Sequence, residues 1–77
     1  MKIKQKDIIA FLPGMRDVEI NSDDNLILQW GLTSVDIIDI VIQIEKKYHI
    51  VIEISDLTIE NFESINKIIK LIHKYVK

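Results

Sequence analysis

The chain has no cysteine, so it can form neither a disulfide nor a thiolate metal site. Its two glycines, Gly14 and Gly31, stand far apart, which excludes a glycine-rich phosphate loop. The two histidines, His49 and His73, lack zincin spacing and sit among charged or solvent-facing residues. Asp23-Asp24 lacks the spaced oxygen ligands and the glycine of a calcium loop, and reads as a pair of solvated acids. No apolar run approaches the roughly 20 residues of a membrane span. The N-terminus, Met1 to Asp7, has no long apolar core of the signal-peptide kind. A net charge of −2, with basic residues scattered toward the two ends, argues against nucleic acid. These absences predict no catalytic residues and no metal. They lead to the expectation of a soluble, intracellular protein poorly equipped to be an enzyme on its own; a cytoplasmic location and a monomeric state are separate expectations.

What remains is a small, apolar-rich domain. The 77 residues are 48% hydrophobic and 29% charged, which suits one globular unit over residues 1–77. Isoleucine fills 18 positions and alanine one, a bias toward β-branched side chains that are only moderate helix formers. Spacing nevertheless favours helices. Ile3, Ile8, Ile9, Phe11 and Leu12 give an uneven apolar face to a first helix over 2–12, stopped by Pro13-Gly14. No helical period persists from there to Thr33. That long connection is expected to be held down by Val18, Ile20, Leu26, Leu28 and Trp30.

Over residues 34–48, Asp36, Asp39, Gln43 and Lys46-Lys47 recur with the spacing of one helical stripe. Thr33 followed by Asp36 is a capping-box-like start. Residues 50–54 read as an extended connector, because no second strand is present to pair with them. A short helical turn is expected from Ser55 to about Asn61. Ser64 caps a last helix over 65–76, with Ile65, Ile68, Ile69, Ile72, Tyr75 and Val76 on its apolar side. Glu60 and Glu63 precede that helix and lysines follow along it, the order its dipole favours. The fold class is an all-α small bundle: three main helices, one short helix and a long first loop.

One local arrangement points to chemistry. Residues 17–45 hold seven acidic residues and no basic one, while ten basic residues face five acidic ones elsewhere. Inside that stretch, Ser34 falls at the first turn of the second helix, beside free backbone N–H groups and the positive end of the dipole. A phosphodiester on its hydroxyl would be well placed electrostatically. Physics alone leaves two readings open, a modification site or an ordinary serine beside a cap.

Gly31-Leu32-Thr33-Ser34-Val35-Asp36 resembles the signature of the acyl carrier protein family, Gly-Leu-Asp-Ser-Leu and an acidic residue, whose serine bears 4′-phosphopantetheine. The likeness continues through Ile37 to Val41 and Ile44 to Tyr48. The run Leu57-Thr58-Ile59-Glu60-Asn61-Phe62-Glu63-Ser64-Ile65 resembles a second stretch of stand-alone carriers, with Ile59 in place of proline. The resemblance spans essentially the whole chain. It implies that a phosphopantetheinyl transferase moves the arm from coenzyme A onto Ser34. The protein would then carry cargo as a thioester among a loading enzyme and a downstream synthase of fatty acid, polyketide or nonribosomal peptide biosynthesis. Two alternatives accompany this acyl-carrier reading: an aminoacyl, peptidyl or D-alanyl carrier, and an unmodified carrier-like adaptor.

Two positions depart from the family pattern. Thr33 replaces the usual aspartate; it can still cap the helix, but lacks the carboxylate that transferases recognise. Lys46 and Lys47 replace glutamates, which predicts weaker attraction to the basic patches of fatty-acid synthase partners. Val35, Ile38 and Ile42 form a candidate partner-facing ridge flanked by Asp36 and Asp39, with core filling the other reading for Ile38 and Ile42.

Overall fold

The computed structural model describes residues 2–14 and 19–76. Along the chain these form α1 (Gln5–Ile9), a long connection, α2 (Ser34–Tyr48), two 3₁₀ turns (Ile54–Asp56 and Ile59–Phe62) and α3 (Ile65–Tyr75). No strand occurs among the described residues, so helical spacing prevails over the β-branched composition.

α1 is shorter than the helix expected over 2–12. Asp7 Oδ2 accepts the Lys4 N–H at 3.0 Å, which fixes Lys4 in extended backbone and starts the helix one residue later. At the other end Phe11 N–H bonds Ile8 O and Leu12 N–H bonds Ile9 O. These i→i+3 bonds tighten the chain ahead of Pro13, whose ring disfavours helical backbone in the residue before it. Ile3, Ile8, Phe11 and Leu12 are buried all the same, so the apolar face survives the loss of helical length.

The long connection is held down by apolar side chains, as expected, and shaped by polar ones. Asn25 Oδ1 accepts the N–H groups of Ile27 and Leu28 at 3.0 and 2.8 Å, a local turn of the kind asparagine favours. Leu26 and Ile20 enter the core and Trp30 packs against its edge. Leu28 does not. It is 84% exposed, because the Asn25 turn directs it outward. Val18 lies outside the described residues. Asp23 is exposed and Asp24 partly so, and both also take hydrogen bonds: Asp23 accepts from Asn66 Nδ2 at 2.6 Å, and Asp24 Oδ2 accepts from the Asn21 N–H and the Trp30 indole.

α2 ends at His49, whose left-handed backbone (φ 54°, ψ 48°) reverses the chain while the Ile50 N–H bonds Glu45 O. The connector over 50–53 is neither helix nor strand, its Glu53 is extended, and the Ile52 N–H is donated to Glu45 Oε2 at 2.9 Å. The short helix expected over 55–61 is divided into two 3₁₀ turns. Leu57 (φ −84°, ψ 66°) leaves helical backbone between them, and Thr58 starts the second turn by accepting the Asn61 N–H.

α3 is the apolar centre. Ser64 Oγ accepts the Lys67 N–H at 3.2 Å, and Ile65, Ile68, Leu71 and Ile72 are buried along one face. The helix packs against α1 and against the second 3₁₀ turn, where Phe62 is fully buried. Each such side chain contributes about 1.5–3 kcal/mol of transfer free energy relative to an exposed position. Among the described residues no buried side-chain polar atom lacks a partner.

Candidate functional site

The start of α2 is built by a reciprocal cap. Thr33 keeps extended backbone, its Oγ1 accepts the Asp36 N–H at 3.3 Å, and Asp36 Oδ2 accepts the Thr33 N–H at 2.9 Å. The Thr33 hydroxyl also donates to Asp36 Oδ2 at 3.0 Å. Behind the cap, Gly31 turns the chain at φ +71°, a backbone angle that favours glycine, and Leu32 is buried with its N–H on Leu26 O. Anchor, turn and cap together hold Ser34 exposed as the first residue of α2.

Ser34 stands at an apolar cleft of about 260 Å³. One wall is α2, through Ile37, Ile38, Val41 and Ile42; the other is Leu57 and Thr58, which join the two 3₁₀ turns, and Ile59, which opens the second. Ile38 and Ile42 therefore do not fill the core: they are 60% and 45% exposed and line the cleft. Val35, 70% exposed, lies outside it. Asp36 is occupied by the cap, whereas exposed Asp39 lines a separate depression with Gln43 and residues 10–14. The ridge and its acidic flank thus face different surroundings. The wall formed by Leu57 and Ile59 was not legible as part of a site, since short 3₁₀ turns leave no periodic signal.

Lys46 and Lys47 also separate. Lys46 is exposed, while Lys47 Nζ lies 5.6 Å from the Phe11 ring centroid, 5.9 Å from that of Tyr48 and 3.8 Å from Asp7. Lys47 is held against α1, away from the Ser34 cleft.

The geometry is an exposed primary hydroxyl at a capped helix start, beside an apolar cleft. The protein family described as "Phosphopantetheine attachment site" matches residues 6–72. The chain belongs to the phosphopantetheine-binding carrier family. It is 33% identical over 73 residues to an acyl carrier protein of Buchnera aphidicola subsp. Baizongia pistaciae (strain Bp), covering 95% of this chain and 91% of that relative. No solved structure matches the chain.

Membership makes covalently attached 4′-phosphopantetheine the carrier's cofactor and implies dealings with a phosphopantetheinyl transferase and with synthases. The residues at the start of α2 suit such a group: attachment requires a reachable hydroxyl, and the helix dipole favours a phosphodiester there. Among the described residues no helix is long and apolar enough to cross a membrane.

Proposed function

We propose that this protein is a stand-alone, non-catalytic acyl carrier whose 4′-phosphopantetheine is attached through Ser34 Oγ. The observation that carries the reading is the opening of an apolar cleft directly beside that exposed hydroxyl. When bound, the arm supplies a terminal thiol that holds cargo as a thioester, chemistry this cysteine-free chain cannot provide from its own side chains. Thr33 and Asp36 fix the helix start, and Ser34 presents the attachment oxygen. Ile38, Ile42, Leu57 and Ile59 offer apolar surface to cargo. Each methylene buried there is favoured by about 0.8 kcal/mol, whereas a free ammonium would lose hydration. The lining therefore favours an acyl group over an aminoacyl one.

Partner enzymes would meet Val35 and Asp39, both exposed on α2. Tethering keeps cargo at high effective concentration for successive active sites. The test is intact mass after incubation with coenzyme A and a broad-specificity transferase. The parent should gain one phosphopantetheine and Ser34→Ala none. A parent that stays unmodified would favour the adaptor reading, and a modified alanine variant would move the attachment elsewhere. Competition between octanoyl and alanyl loading then distinguishes acyl from aminoacyl cargo.

A further inference from the structure

Residues 53–61 form the wall of the cleft opposite α2, through Leu57, Thr58 and Ile59. Their internal hydrogen bonds are local. The N–H groups of Asp56, Leu57 and Asn61 donate to the carbonyls of Glu53, Ile54 and Thr58, and Asn61 Nδ2 donates to Asp56 O. Among the described residues, the hydrogen bonds that join this segment to one of the three α-helices all end on two side chains in the last turn of α3. Tyr75 OH donates to Asp56 Oδ2 and accepts the Glu53 N–H at 3.0 Å. Lys74 Nζ donates to both Asp56 carboxylate oxygens at 2.9 and 3.1 Å.

Apolar anchoring of the segment is sparse. Ile54 is 87% exposed and Ile59 62%, while the firmly buried residues, Ile52 and Phe62, flank it on either side. The segment is a strap fixed at its ends and fastened between them by one polar cluster. Within the cluster Lys74 is well exposed, so water competes for its ammonium. The phenol-to-carboxylate bond is charge-assisted and its Asp56 side chain is mostly covered, which makes it the stronger fastening.

We propose that Asp56 and Tyr75 form a clasp that sets the opening of the cleft beside Ser34, so that releasing the clasp lets the strap move away from α2 while the helices stay folded. Segments with few buried groups and local hydrogen bonds open at low free-energy cost, and this strap has both properties. The consequence for cargo rests on the reading of Ser34 given above; the motion of the strap does not.

Amide hydrogen exchange on the unmodified full chain tests the motion. Tyr75→Phe and Asp56→Asn should each speed exchange at residues 56 and 57 by about threefold to tenfold, the effect of losing one net hydrogen bond. Exchange at Ile44 and Ile68 should stay at the parent rate, and the double variant should speed strap exchange by less than the product of the two single effects, because both variants remove the shared Tyr75–Asp56 bond while each also disturbs one contact of its own, to the Glu53 N–H or to Lys74. Strap exchange equal to the parent would overturn the clasp, as would acceleration shared by α2 and α3. A second measurement follows cleavage of an octanoyl thioester on the loaded protein by hydroxylamine, which Tyr75→Phe should accelerate. Unchanged cleavage alongside a loosened strap would remove the clasp's control of the cleft. Failure of the protein to accept phosphopantetheine would overturn the Ser34 reading and leave the exchange pattern standing.

Discussion

Lys47 Nζ stands 3.8 Å from Asp7 Oδ1, tying the last turn of α2 to the first helix. The same ammonium lies over the Phe11 and Tyr48 rings. Two adjacent lysines that look equivalent in sequence therefore do different things. Lys47→Glu should lower stability by about 1 kcal/mol, from the lost ion pair and cation–π contacts. In a domain of this size that is a fall in Tm of about 4–8 °C. Lys46→Glu should leave Tm unchanged and raise the rate of loading by a fatty-acid malonyltransferase at low salt, with the gain shrinking as salt screens it. Thermal melts and loading rates of the two single variants separate these effects. A faster Lys47→Glu protein beside an indifferent Lys46→Glu one would refute the assignment.

The Thr33 cap predicts a stability order. Thr33→Val keeps the shape but removes the oxygen that receives the Asp36 N–H, and should cost on the order of 1 kcal/mol. Thr33→Asp retains an acceptor and should keep most of that stability, but it places a second carboxylate beside Asp36, so it should fall between parent and valine at low salt. Urea unfolding midpoints check the order.

The clasp also has a pH signature. Hydrogen bonds from Tyr75 and Lys74 hold the Asp56 carboxyl below the usual carboxylate range. The Asp56 bond, acting with burial, holds the Tyr75 phenol above its usual range. A lowered carboxyl contributes stability above its unfolded pKa and loses it as pH falls through the folded value. A raised phenol contributes below its unfolded pKa and loses its share as pH rises through the folded value. The stability difference between parent and Tyr75→Phe should therefore be flat across neutral pH and collapse in strong acid and strong alkali. Tyr48 is also pushed up, by burial and then by Asp7, so absorbance titration should show both phenols ionising late. Asp56→Asn should bring Tyr75 back toward the ordinary value and leave Tyr48 where it is.

His49 offers a simple gain. Its left-handed backbone disfavours any residue with a Cβ, and glycine is common at such helix ends. His49→Gly should raise stability by about 0.5–1 kcal/mol after the greater freedom of glycine in the unfolded chain is included. A lower Tm for the glycine variant would show that the imidazole makes a compensating contact.

Legibility in the sequence followed periodicity and caps. Ser64 and Thr33 were readable because a hydroxyl three residues ahead of its N–H partner is a local pattern, and the buried face of α3 repeats at helical intervals. Leu71 escaped the apolar list of that helix although it is buried, because it lies beside a stripe already complete in Ile68 and Ile72. The outward turn of Leu28 depends on Asn25 accepting two N–H groups, and the second cleft wall depends on how α3 holds the strap. Such long-range placements have no spacing in the sequence. The same holds for Ile38 and Ile42, whose helical positions suited core and surface equally until the neighbouring elements were placed.

Asp24, Asp36 and Glu45 each receive a backbone N–H at 2.9–3.1 Å, and all three are only partly exposed. These three carboxylates of the acidic middle thus have their rotamers already chosen. A cationic partner approaching them would avoid freezing three mobile side chains, each a cost of about 0.5–1.5 kcal/mol on association. Exposed Asp39 is held by no such bond among the described residues and would still incur that cost. Stiffness, as well as sign, would then distinguish one carboxylate from another at an encounter.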